Sequence, residues 1–326
     1  MGAMVDVDEL VAAARVVSLP MRVRFRGITA REALVFEGPA GWGEFGPFPE
    51  YQDAEAANWL RAGIEAAYDG LPEPSRTGVA VNATVPAVTA EQVPDVLARF
   101  PGCRTAKIKV AEKGQSLADD LARVAAVRAA MPGGAIRVDA NGGWTVDEAT
   151  EALSRLVADG PLDYAEQPCA TVEELAEVRR RLDGACDIAA DESIRRAGDP
   201  MRVAELGAAD VAIVKVAPLG GVRAVLQVAD ALKAAAGVRV TVSSALDTAV
   251  GLSAGIVAAA CIEDGNAAGL GTGGFFTADL GEHPLVDGAL QVRTVAPTEE
   301  QLAAVEVVGE RRDWWLARLR RCHALL

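Results

Sequence analysis

Asp139, Glu166 and Asp191 lie 27 and 25 residues apart, and Lys215 follows 24 residues later. Each comes at or near the end of a short apolar run: "AIRVDAN", "LDYAEQP", "DIAADES" and "DVAIVKV". An interval of about 25 residues is one strand plus one helix, so the four groups fall at equivalent strand ends. Three carboxylates drawn together repel one another. A divalent cation removes the conflict, and an all-oxygen donor set suits Mg²⁺. The plainer reading makes each a separate polar strand end or ion pair. Upstream, "TAKIKV" carries Lys107 and Lys109 two positions apart, so in a strand both ammonium groups leave one face. Buried together they would repel and lose hydration, which an edge strand with a wet face avoids. A carboxylate-bound cation offers the other solution. Lys107 and Lys109 then face it from one side of the site and Lys215 from the other.

The elements that must hold these groups are readable from residue 79 onward. Apolar runs "VAVNATV", "TAKIKV", "AIRVDAN", "LDYAEQP", "DIAADES", "DVAIVKV", "VRVTVSS" and "AAGLGT" alternate with Ala-rich amphipathic segments. "TVDE" at 145 and "TVEE" at 171 are capping boxes, and "ADDLARVAAVRAA" has a helical apolar period. Eight such units predict a closed (β/α) barrel, with a doubly wound open sheet as the alternative. In a barrel, strand C-termini build the active site. The N-terminal "ARVVSLPMRVRFRGITAREALVFEG" reads as two antiparallel strands, followed by a helix over "DAEAANWLRAGIEAAYDG". The C-terminal "EEQLAAVEVVGERRDWWLARLRRC" is expected to return to this part. The expected organisation is an α+β capping domain over 1–78, completed by 295–326, on a catalytic barrel over 79–294.

The chain has 326 residues and a formal charge of −14, with 46 acidic against 32 Lys and Arg residues. That balance disfavours nucleic acid or an anionic membrane as partner, but not a small anion at a locally basic site. Five cysteines without a CxxC pair fit a reduced, cytoplasmic setting. "MGAMVDVDEL" does not read as a signal peptide, and its first three residues read as a cloning remnant before Met4. The longest uncharged stretch, Thr248–Ile262, is too short to span a bilayer and reads as a buried helix. Two late histidines, His283 and His323, leave little for a His-dependent triad.

As an ordered set, these residues resemble the enolase superfamily, in its muconate-lactonizing subgroup. The resemblance spans essentially the whole chain. It rests on the KxK of Lys107 and Lys109, on Asp139 in "VDAN", Glu166 in "EQP" and Asp191 in "DES", and on Lys215 in "VKV". It implies a (β/α)7β-type TIM barrel with an α+β capping domain, and Mg²⁺ on Asp139, Glu166 and Asp191. It further implies proton abstraction α to a carboxylate, with Lys109 as base and Lys215 as a cation steadying the enediolate. The segment "FRGITAREALVFEGPAGWGEFGPFPEY" looks like that of the o-succinylbenzoate synthase branch of menaquinone biosynthesis. The implied partner is a small anionic carboxylate, dehydrated by syn elimination. N-acylamino acid racemization or dipeptide epimerization on the same site is the rival. "GLGTGG" stands where dipeptide epimerases carry Asp-x-Asp, which weighs against the latter. Muconate cycloisomerization is a remoter choice, and a non-catalytic metal-binding barrel is the rival from another class.

Around this set, Arg137 shares the Asp139 strand face and is expected to orient Lys107 or the anion, or else to form a plain ion pair. Asn141 is either a hydrogen-bonding neighbour of the site or a turn residue before Gly-Gly. Ser243 and Ser244 end the seventh strand, where a hydroxyl can meet substrate. "GLGTGG" reads as a tight loop that lets substrate approach. "GWGEFGPFPEY" suits a lid over the mouth, or a structural loop. Trp314 and Trp315 read as packing residues.

Overall fold

The computed structural model describes residues 5–25, 27–194, 199–262 and 266–326. After a short helix, α1 (Val7–Ala13), apolar alternation builds two antiparallel strands, β1 (Ala14–Phe25) and β2 (Ile28–Gly38). A third strand, β3 (Gly41–Phe45), pairs with β2 and is followed by α2 (Asp53–Ile64). The segment read as a lid is therefore half sheet. Its other half is pinned, because buried Arg318 donates to the carbonyls of Phe48 at 3.2 Å and Tyr51 at 2.6 Å.

The alternating part runs through β4 (Gly78–Ala80), β5 (Ala83–Val85), α3 (Val93–Leu97), β6 (Thr105–Lys109), α4 (Leu117–Ala130), β7 (Ala135–Asp139) and α5 (Val146–Ala158). It continues with β8 (Tyr164–Glu166), α6 (Val172–Leu182), β9 (Ile188–Ala190), α7 (Asp199–Glu205), β10 (Val211–Val214), α8 (Val216–Leu219), α9 (Val222–Ala236), β11 (Arg239–Val242) and α10 (Ala249–Cys261). Strands β5 to β11 form one seven-stranded sheet in sequence order, every pair parallel. The predicted eighth strand shrinks to two parallel bridges, Val81 with Ala268 and Ser243 with Gly269, which join the sheet's two edges. Gly-rich sequence explains the reduction, since it brings few side chains to pack. "VAVNATV" also divides. Only β5 enters the barrel, while β4 joins an antiparallel sheet with β12 (Leu285–Val286) and β13 (Ala289–Gln291).

Helix starts follow the sequence: Thr145 with Glu148 opens α5 and Thr171 with Glu174 opens α6, both as complete capping boxes. α10 is buried along almost its whole length, and among the described residues no helix is long and apolar enough to cross a membrane. The C-terminal α11 (Glu299–Val305) and α12 (Glu310–His323) return to the first sheet, where Val17 bridges Glu306. A second core, separate from the barrel's, joins Leu10, Phe36 and Trp59 to Trp315 and Leu319 of α12. It also takes in Leu246, Val250 and Leu280 from the barrel's loops and α10.

Two glutamates bolt the first sheet and its helix to the barrel. Glu44 of β3 lies at the N-terminus of α10, accepting from Thr248 N at 3.0 Å, Thr248 Oγ1 at 2.6 Å and Gly251 N at 3.2 Å. A helix N-terminus favours an anion there. A Cβ at Gly251 would stand 2.6 Å from the Glu44 carboxylate, so a side chain there would push Glu44 off the helix N-terminus. Glu65, just past α2, does the same for α9, accepting from Val222 N at 2.5 Å and Arg223 N at 3.1 Å.

Burial, reinforced by Asp247, pushes the Glu44 carboxyl up to about 7, against Arg31 and the Thr248 bonds. The folded protein thus holds a proton that the unfolded chain releases near pH 4.3. Stability is expected to fall as pH rises from about 5 towards 8 on this account. Urea unfolding across that range checks it: the downward slope is expected to flatten in Glu44→Gln, and an unchanged slope refutes the attribution.

Candidate active site

Parallel register sets the geometry. Lys109 pairs with Asp139 across β6 and β7, and Asp139 with Glu166 across β7 and β8. All three are therefore level at the strands' C-terminal ends, and Asp191 and Lys215 directly follow β9 and β10. A cleft of about 1620 Å³ opens over them, lined by Lys107, Lys109, Asp139, Asp191 and Lys215 among others. Glu166 lies deeper and is 1% exposed.

Each carboxylate is held by lysine. Lys107 Nζ reaches Asp139 at 3.0 Å and Glu166 Oε1 at 2.8 Å, Lys109 Nζ reaches Asp139 at 2.5 Å, and Lys215 pairs with Asp191. Burial alone would raise the Asp139 carboxyl, but Lys107 and Lys109 hold it well below the usual range. Lys215 and Lys107 likewise outweigh burial at Asp191. Glu166, with one ammonium instead of two, is pushed up to about 7 by burial and by neighbouring Asp139. The same carboxylates hold Lys107 well above its ordinary value against its burial.

The expected convergence of three carboxylates on one point is not present as the side chains stand. Among the described residues no three His, Cys, Asp or Glu side chains form a ready cation site. The ammonium groups occupy the space between the carboxylates. The residues nonetheless fit a hard divalent cation. Glu166 Oε2 is buried without any hydrogen-bond partner, and three carboxylates at one end of the barrel make the all-oxygen set that Mg²⁺ takes.

The surrounding residues divide. Asn141 touches the site directly: its Oδ1 accepts from Lys109 at 2.6 Å, and its Nδ2 donates to Glu192 at 3.2 Å. It is also a turn residue, with φ of 47°. Arg137 sits beside Lys107 in the strand register, but it does not line the cleft. It is bound to Asp163 at 2.7 Å and to the Ala267 carbonyl at 2.6 Å, and lies 4.6 Å over the Tyr164 ring. The ion-pair reading holds for it. Ser243 and Ser244 do line the cleft, but their hydroxyls bond within the loops, to the Gly269 carbonyl and to Asp247. "GLGTGG" lines the cleft along its whole length.

Two positioning groups escape a reading by motif. Buried Arg123 of α4 donates to the Lys109 carbonyl at 2.7 Å and pairs with Asp120 at 2.8 Å, fixing the end of β6. On a sequence it is one more polar residue on an amphipathic helix. Gln167, in the left-handed region at φ 39°, accepts from Asp191 N at 3.0 Å and Ser193 N at 3.2 Å, which aims the "DES" turn. Its neighbourhood to Glu166 in "EQP" was the available signal.

Residues 89–297 match the family model of the enolase C-terminal domain-like proteins, and residues 16–67 that of the enolase N-terminal domain-like proteins. An o-succinylbenzoate synthase of Mycolicibacterium smegmatis is 56% identical over 98% of this chain and 98% of its own length. One of Mycobacterium tuberculosis is 58% identical over 95% of this chain and 94% of its own. Among solved structures, muconate cycloisomerase from Pseudomonas fluorescens superposes with a TM-score of 0.74 at 23% identity, covering 90% of this chain and 98% of that one. The L-Ala-D/L-Glu epimerase of Bacillus subtilis gives 0.74 at 20% identity over 87% of this chain and 96% of that one, a likeness of fold alone. The chain belongs to the enolase superfamily and, within it, to the family of the o-succinylbenzoate synthases.

Proposed function

We propose that the chain performs the reaction for which these relatives are named, the syn dehydration of 2-succinyl-6-hydroxy-2,4-cyclohexadiene-1-carboxylate to o-succinylbenzoate. The observation that carries the reading is the opposition of Lys109 and Lys215 around the buried carboxylates, in a chain 56% identical to such a synthase. Mg²⁺ held by Asp139, Glu166 and Asp191 would offset the second negative charge that develops on the substrate carboxylate. Lys109, positioned by Asn141 and by Arg123 behind its backbone, takes the ring proton beside that carboxylate. The same ammonium then returns the proton to the departing hydroxyl on the same face, and aromatisation drives the step. Lys215 stays charged on the other face and steadies the enediolate. Lys107, bonded to both Asp139 and Glu166, keeps those two carboxylates in place.

The division into a capping part, 1–78 with 295–326, and a barrel, 79–294, belongs to this reading. It is supported by the second core that unites both chain ends. A cytoplasmic setting is supported by five cysteines that are all free thiols.

Opposed lysines also suit racemization, so substrates must decide. The purified enzyme is expected to dehydrate the cyclohexadiene carboxylate with kcat/KM of about 10⁴ M⁻¹s⁻¹ or more. Exchange of the α-proton of N-acylamino acids in D₂O is expected to be far slower. Exchange as efficient as dehydration makes the enzyme a racemase or bifunctional, and no dehydration at all overturns the proposal.

A further inference from the structure

Lys215 also borders a small second cavity of about 20 Å³, which neither Lys107 nor Lys109 lines. Its walls include Lys215 and, from α2 of the N-terminal part, Glu55 and Trp59. Trp59 is 1% exposed, and its indole Nε1–H is buried with no acceptor. A buried donor left unmatched is costly and rare, so it points to a partner that the protein's own atoms do not supply. The half-buried Glu55 side chain has no bonded partner among the described residues either. The cavity has room for a single water, and such a water needs two to four polar neighbours. An indole donor, a carboxylate and an ammonium group provide three.

We propose that Glu55 is a positioning residue for Lys215, acting through one water that Trp59 anchors. The need for it follows from charge. In this structure the Lys215 ammonium lies on Asp191. A divalent cation would claim the Asp191 oxygens and repel the ammonium, leaving Lys215 in need of another anion. Glu55 is the carboxylate that lines the same small cavity, so Lys215 has a second resting place that keeps it at the cleft. The N-terminal part thereby completes the catalytic site, rather than only covering it.

The test uses the full-length protein, Glu55→Gln and Trp59→Phe, with Mg²⁺ binding measured by calorimetry. Without the Glu55 charge, Lys215 stays on Asp191 and competes with the cation, so the Mg²⁺ dissociation constant is expected to rise about fivefold. Trp59→Phe keeps the ring's packing, removes the donor, and is expected to weaken Mg²⁺ binding in the same direction. A crystal structure of the Mg²⁺-loaded parent is expected to show one water within hydrogen-bond distance of Trp59 Nε1 and the Glu55 carboxylate. A dissociation constant for Glu55→Gln within twofold of the parent, or a cavity without that water, overturns the assignment. Only the kinetic arm rests on the dehydratase reading: kcat of Glu55→Gln is expected to drop about tenfold at unchanged KM. A parent enzyme that makes no o-succinylbenzoate sinks that reading and leaves the Mg²⁺ and crystallographic arms to decide this one.

Discussion

Lys109→Ala is expected to lower kcat by about 10⁴-fold or more, the upper range for removing one general acid–base group. The proposed step uses this side chain twice, first as base and then as acid, so no neighbour inherits half of its work. Lys107 is the nearest candidate, but it is bonded to both Asp139 and Glu166. Lys109→Arg is expected to recover little, because a guanidinium stays protonated and cannot accept the ring proton. Lys215→Ala is expected to cost less than Lys109→Ala, since Lys215 contributes charge and moves no proton. Steady-state formation of o-succinylbenzoate, followed by absorbance, ranks the three. A Lys109→Ala enzyme that keeps more than a few per cent of parental kcat removes Lys109 from its role.

Asp139→Asn, Glu166→Gln and Asp191→Asn are each expected to abolish both Mg²⁺ binding and turnover, and chelation of the parent enzyme to do the same reversibly. Repulsion among three carboxylates would by itself make such changes stabilising. The lysines reverse that sign. Asp139 is fully buried with two ammonium groups within 3.0 Å, so neutralising it leaves Lys109 without a carboxylate and Lys107 with Glu166 alone. Breaking a fully buried pair costs about 3–5 kcal/mol, and the loss here is smaller because Lys109 opens on the cleft and Lys107 keeps Glu166. Asp139→Asn is therefore expected to unfold at distinctly lower urea concentration than the parent, while remaining folded in buffer. Full activity after metal stripping, or an Asp139→Asn protein as stable as the parent, contradicts the picture.

The barrel and the level of its functional groups were legible because both depend on repeats. Strand–helix intervals place Asp139, Glu166 and Asp191 at equivalent depth, and the parallel register makes neighbours of them. Capping boxes at Thr145 and Thr171 were legible because their bonds span three residues. What stayed hidden depends on contacts between distant segments. β3 sits in a stretch whose glycines and prolines read as loop, yet β2 supplies its partner. The eighth strand keeps the spacing of the others, but its Gly- and Ala-rich sequence allows only two bridges. Arg137 shares a strand face with Asp139, yet Asp163 and the Ala267 carbonyl claim it. The lysine–carboxylate pairing was equally hidden. Sequence tells which charges meet at the mouth, not which of them touch.

The Glu44 and Glu65 bolts bear on how the chain acquires its structure. Glu44 must find Thr248, some two hundred residues away, and Glu65 must find Val222. Helix α12, at the end of the chain, shares a core with Leu10 and Phe36 near its beginning. On a ribosome the first sixty residues emerge long before any of these partners exist. Their β1–β3 sheet then has an uncovered apolar face and exposed edges, which invite aggregation until the barrel and the last helix arrive. Contacts so far apart in sequence also form slowly. A short truncation at its far end, removing α12 alone, threatens the beginning as much as the end.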